Sequence, residues 1–212
     1  MSQHDFPPID PSESVQLAAQ AKAGDATALD DLLVRYQDRL RRIVRIRLGA
    51  RLRANVESMD IVQEAMIVAA RKIGDAELKS PGAIINWLSR IAERKIHDAN
   101  DYFTAQRRDK RRESPMHVVV NGESVGWEPA DSTMSPGKKA QQREAEEIVD
   151  EALTELLESQ REVILLRHYC GAEWEQVAET LGRSVGAAQQ LHTRAWETLR
   201  SKVGPRLDPS AD

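Results

Sequence analysis

One break in helical periodicity, from Glu113 to Gly137, constrains the fold of this chain more than any other feature. Pro115, Pro129 and Pro136 remove backbone donors there, and Gly122, Gly126 and Gly137 loosen the backbone, so no long helix crosses the stretch. On either side, apolar residues recur every three or four positions, as amphipathic helices require. Two small helical modules joined by a flexible linker account for 212 residues divided in this way. Helix formers dominate and aromatic residues make up only 4% of the chain, so the expected fold is all-α. The modules are expected at 14–112 and 140–203, with a disordered start at 1–13, a linker at 113–139 and a tail at 204–212.

In the first module, Ser14 is placed as the cap of a helix carrying Val15, Leu17, Ala18 and Ala21, which stops near Gly24. Asp25 caps the next, where Leu29, Leu32, Leu33, Tyr36 and Leu40 form one stripe. A basic run from Arg39 to Arg53 follows, its apolar residues packing while its arginines stay in water or meet an acidic partner. A helix from about Asp60 to Ile73 precedes a polar loop from Gly74 to Pro81. Ile84, Trp87, Leu88, Ile91 and Ile96 then restart the pattern, which runs into the basic stretch Gln106 to Arg112. The short run Val118 to Val120 is expected to be extended coil.

Formal net charge is −4, which argues against a protein that coats DNA by bulk charge. The total hides a polarised molecule. Trp87 to Arg112 carries eight basic residues against four acidic, whereas Glu113 to Glu158 carries eleven acidic against three basic. Five scattered histidines (His4, His97, His117, His168, His192) form no paired ligand motif, and neither a nucleophile elbow nor a glycine-rich phosphate loop occurs. Catalysis, a metal site and a cofactor are therefore not expected. The lone Cys170 is read as a packing residue in a reducing compartment. No signal-peptide core and no apolar stretch near 20 residues occurs, so a soluble cytoplasmic protein without membrane insertion is expected.

The C-terminal segment reads as a helix-turn-helix. Trp174, Val177, Ala178 and Leu181 line a short helix; Gly182 permits a turn; Ser184 caps a second helix with Val185, Ala188, Leu191, Ala195 and Leu199 inward. Preceding apolar residues Leu153, Leu156, Leu157, Val163, Ile164 and Leu166 supply its packing. The outward face near the second helix's start offers Ala187, Gln189, Gln190, Thr193 and Arg194. Gln suits adenine and Arg suits guanine in the major groove, while Arg183, Ser184 and the helix N-terminus can hold phosphates.

These segments resemble the sigma-70 family of RNA polymerase subunits. Asp60-Ile61-Val62-Gln63-Glu64-Ala65 is similar to the Asp-Leu-Val-Gln-Glu signature of sigma region two, and Trp87-Leu88-Ser89-Arg90-Ile91-Ala92 follows at the family's distance. Leu156 to Val163, Val177 to Gly182 and Arg194 to Arg200 resemble region four. Two modules without a third domain resemble the extracytoplasmic-function group, and Ala92 to Asp98 is similar to a planctomycete subgroup. The resemblance implies promoter-specific initiation with core polymerase, through the β′ clamp helices and the β flap, and an anti-sigma factor among the partners. It places Asp60, Gln63 and Glu64 on the clamp. The loop Asp75 to Gly82 would capture a flipped base of the −10 element, with Asn86, Trp87, Arg90, Arg94 and Lys95 beside the opening DNA. Trp87 also fits a core position by its spacing with Ile84, Leu88 and Ile91. Arg183, Ser184, Ala187, Gln189, Gln190, Thr193 and Arg194 would meet the −35 element. Gln189 and Gln190 stand where relatives commonly carry Lys or Arg, which leaves individual base contacts open. The alternative is a stand-alone helix-turn-helix regulator, whose N-terminal module dimerises and which binds a palindromic duplex without polymerase.

Overall fold

Residues 11–110 and 136–207 are described by a computed structural model, and every regular element among them is helical. The first module comprises α1 (Pro11–Lys22), α2 (Ala26–Arg53), α3 (Ser58–Lys72) and α4 (Pro81–Lys110). Ser14 does not cap α1. The helix starts at Pro11, whose fixed φ suits a first turn, and Ser14 is buried within it. Asp25 does cap α2: its carboxylate accepts from the amides of Thr27 at 2.9 Å and Ala28 at 3.1 Å. α2 is broken at Gly49, where φ of 61° leaves the helical region.

A 3-10 turn, Ile73–Asp75, ends α3. The segment after it was expected to be a polar loop, but Ala76 and Leu78 are buried and anchor it. Lys22 secures the same place by donating to the Ala76 carbonyl at 2.7 Å. The module's core is a zipper of Leu32, Tyr36, Leu40 and Ile43 from α2, Val62 and Ala65 from α3, and Ile84, Ile85 and Leu88 from α4.

The second module comprises α5 (Pro136–Thr154), α6 (Glu158–Ile164), a π-helical turn Leu165–Tyr169, α7 (Trp174–Thr180) and α8 (Val185–Leu207). α5 takes in residues 136–139, placed in the linker by periodicity; the rest of that segment, Val118 to Val120 included, lies outside the described residues. Leu157 departs from expectation. It occupies the N-cap position of α6 with ψ of 144°, which swings its side chain out to 71% exposure.

The modules are packed against each other. α5 and the π turn lie against α2, and the Gly171 turn sits on the start of α4. A Cβ at Gly82 would stand 2.9 Å from the Gly171 carbonyl oxygen, so the two backbones approach as closely as glycine allows. Cys170 is buried in this seam, its thiol donating to the Ser89 hydroxyl at 3.6 Å, and burial pushes its pKa up. It is an inert packing residue there.

Leu88→Ala would open a cavity where α4 meets α2. We expect a loss of about 2–5 kcal/mol, read from urea unfolding of the full chain.

Candidate functional site

α7 and α8 form the helix-turn-helix that the sequence pattern predicts. Val177, Ala178, Ala188, Ala195 and Leu199 are buried between the helices and the rest of the module. Gly182 makes the turn at φ 61°, and the Ser184 hydroxyl accepts from the Ala187 amide at 3.2 Å. Arg183, Ser184, Gln189, Gln190, Thr193 and Arg194 are all exposed, while Ala187 is half-buried at the edge of this face. The Thr193 hydroxyl donates back to the Gln189 carbonyl at 3.1 Å. The two glutamines, Arg183 and Arg194 thus turn donor and acceptor groups to solvent on this surface.

Two histidines that are distant in sequence meet behind this face. His168, on the π turn, and His192, on α8, bring their Nε2 atoms to 2.8 Å, so one ring must donate and the other accept. Trp196 lies nearly parallel to both rings, Trp174 meets His192 edge-on, and Arg167 stacks over Trp174. Burial, then the His192 charge and then Arg167, lower the His168 pKa to about 4; burial and Arg167 lower that of His192. The pair is neutral near pH 7 and joins α8 to the π turn beneath it. Among the described residues no three His, Cys, Asp or Glu side chains cluster as metal ligands.

On α4 the five residues expected at the −10 element divide. Arg94 is exposed. Arg90 is exposed too, but its guanidinium donates at 2.9 Å to the Thr180 hydroxyl of α7. Lys95 pairs with Glu64 at 3.2 Å. Trp87 is half-buried against the core, and Asn86 is half-buried with an Oδ1 that finds no donor among the described residues.

Asp60, Gln63 and Glu64 project together from α3 into solvent, as their i, i+3, i+4 spacing dictates. Beside them runs a cleft of about 590 Å³ between α2 and α3, lined by Leu33, Val34, Met59, Met66 and Ile67 with Gln63 at its rim. Val34 and Ile67 are 70% and 54% exposed. Sequence reading missed both. Their signal was available, since each is a large apolar residue off its helix's buried stripe.

The basic run of α2 faces the second module. Arg42 donates to both carboxylate oxygens of Asp150 on α5, at 3.0 and 3.2 Å, and Arg39 donates to the Tyr169 carbonyl at 2.7 Å. Arg47 forks onto Glu162 of α6 at 3.0 and 2.7 Å and gives its remaining nitrogen to Ser89 of α4. Burial works against the Arg47 charge, but the charge and hydrogen bonds of Glu162 outweigh it and hold the pKa above its ordinary value. Burial pushes the Asp150 carboxyl up while Arg42 pulls it down. Burial wins, and the Asp150 pKa stands above its ordinary value.

A helix-turn-helix with an exposed polar face, packed on a second helical module that has an acidic and apolar edge, is the architecture of the helix-turn-helix class of transcription proteins. A family profile described as "ECF sigma factor" matches residues 11–208. The ECF RNA polymerase sigma-E factor of Escherichia coli strain K12 is 30% identical over 192 residues, covering 90% of this chain and 94% of that protein. That of Haemophilus influenzae is 29% identical over 191 residues, covering 90% and 95%. The RNA polymerase sigma-H factor of Pseudomonas aeruginosa is 29% identical over 197 residues, covering 91% and 94%. The solved structure of CnrH in complex with the cytosolic domain of CnrY shares the fold, with TM-score 0.54 at 24% identity, covering 94% of this chain and 99% of that one. The chain belongs to the ECF sigma factor family, whose members bind RNA polymerase and direct it to promoters. It is a promoter-specific initiation factor, and a stand-alone regulator is not favoured.

Between its ordinary pKa and about 4, His168 takes up a proton in the unfolded chain but not in the folded one. Stability therefore falls as pH falls through that window. Urea unfolding at about pH 7 and about pH 5 should show wild type losing on the order of 1–2 kcal/mol more than His168→Gln, after discounting for partial exposure.

Proposed function

We propose that the two modules divide promoter engagement between them: the first docks core polymerase and meets the −10 element, and the second reads the −35 element. The observation that carries the docking assignment is the strip of Asp60, Gln63 and Glu64 beside the Val34 and Ile67 cleft. Carboxylates flanking an apolar groove suit a partner helix that carries both arginines and aliphatic side chains, as the β′ clamp helices would. The same cleft is open to an anti-sigma helix competing with polymerase. The β flap would be the second contact with core, from the C-terminal module. No helix among the described residues is long and apolar enough to cross a membrane. Work on polymerase places the chain in the cytoplasm.

On α4, Arg94 faces outward for phosphates beside the opening −10 region and Arg90 joins it by leaving Thr180, with the loop Asp75 to Gly82 taking the flipped base. Lys95 joins them only by leaving Glu64. Trp87 and Asn86, both half-buried, support the helix more than they read DNA. On α8, Arg194, Gln189 and Gln190 read base edges, and Arg183 and Ser184 hold the backbone. Ala187 and Thr193 shape the face between them.

Run-off transcription with purified core polymerase on genomic fragments should give defined starts only when this protein is added. An Asp60/Gln63/Glu64 triple-alanine variant should abolish them while leaving helical content unchanged. Binding to a palindromic duplex without any binding to core would overturn the reading. Arg194→Ala should reduce discrimination at one −35 position by about 1–3 kcal/mol, measured by competition binding with single-base variants.

A further inference from the structure

Two kinds of contact hold α8 to its module. At the level of Gln189, Gln190, Thr193 and Arg194 the inward residues are Ala188, Leu191 and Ala195, two of them small, and apolar contact of this kind has no direction. The directional contact at this level is the bond between His192 Nε2 and His168 Nε2, at 2.8 Å. Other side-chain bonds from α8 to the module, Gln160 to Thr198 at 3.4 Å and Lys202 and Arg206 to Glu155 at 2.9 and 2.6 Å, lie about one and a half to four turns further along.

His168 stands on a firm base. Leu165, Leu166 and Tyr169 of the π turn are buried, and the Cys170 and Ala172 amides donate to the Leu165 and Leu166 carbonyls, each at 2.9 Å. Trp174, at the start of α7, meets His192 edge-on and Trp196 stacks on both imidazoles, so the pair touches both helices of the motif. A helix is about 10–12 Å across, so turning α8 by about 20° would carry its outward side chains by roughly 2 Å, well outside the range in which a hydrogen bond keeps its strength.

We infer that His168 is a positioning residue for promoter recognition: through its bond to His192 it sets the rotation of α8 about its own axis, and so decides which polar atoms of Gln189, Gln190 and Arg194 meet base edges. This rests on the −35 reading of α8. His168 lies behind the outward face, on a different element, and needs no contact with DNA. It withholds the turned arrangements that small inward residues would permit, and side chains held in place in advance discriminate better than side chains that must be ordered on binding.

Run-off transcription with core polymerase tests this on two templates, a start mapped from genomic fragments and the same template with its −35 element scrambled. The quantity read is the ratio of transcript from the two, because a variant that is merely less stable loses both alike. His168→Phe keeps a ring against Trp196 and removes the bond; it should lower the ratio on the order of tenfold, the weight of one bidentate base contact. His168→Gln puts an amide where Nε2 stood and should keep most of the ratio. His192→Phe breaks the same bond from α8, should give the same loss, and is scored by the same rule if His168→Phe does not fold. A folded phenylalanine variant that keeps the wild-type ratio overturns the proposal, and so does an equal loss in His168→Phe and His168→Gln. Wild type that starts equally well on both templates overturns the −35 reading itself, which is a separate result.

Discussion

The structure turns on one guanidinium. Arg47 sits where α2, α4 and α6 converge, too enclosed to be solvated, and satisfies its donors on Glu162 and Ser89. No apolar residue could bridge those three helices in the same way, because the bridge is a directional fork with a carboxylate at one end and a hydroxyl and carbonyl at the other. Arg42 and Arg39, about one and two turns earlier along the same helix, also reach the second module, Arg42 onto the Asp150 carboxylate and Arg39 onto the Tyr169 carbonyl. α2 thus has an apolar side that builds its own module and a cationic side that receives the other.

Charge placement divides a net acidic chain into surfaces of opposite sign. Glu146, Asp150 and Glu162 are spent on the arginines of α2, while Arg94, Arg183 and Arg194 stand exposed on α4, on the turn and on α8. The exposed acids of α3 form a separate edge, suited to a protein partner. One molecule therefore presents surfaces of both signs.

The helix-turn-helix has its own internal brace. A module this small has little apolar area to hold the 23-residue α8, and the ring stack of His168, His192 and Trp196 supplies contact area plus one directional bond. The neutral pair needs one donor and one acceptor nitrogen, and burial, which lowers both pKa values, favours that neutral form. The π turn that carries His168 is the irregularity that aims it.

Local signals determined the helices. Asp25, Gly24, Gly182 and Ser184 act through backbone atoms a few residues away, and the apolar stripes report which side of each helix is buried, so caps, turns and the helix-turn-helix were legible from order alone. Ser14 and Leu157 were misplaced for the same reason: a proline upstream and a capping geometry moved a helix start by a turn or less. The sequence also showed opposite charge on the two sides of the linker. Only the tertiary structure decided which arginine meets which carboxylate, that His168 and His192 touch, that Val34 and Ile67 stand beside Gln63, and that Arg90 and Lys95 are already engaged. Those contacts join residues as much as 115 positions apart, and their choice depends on how whole helices pack, which no local pattern encodes.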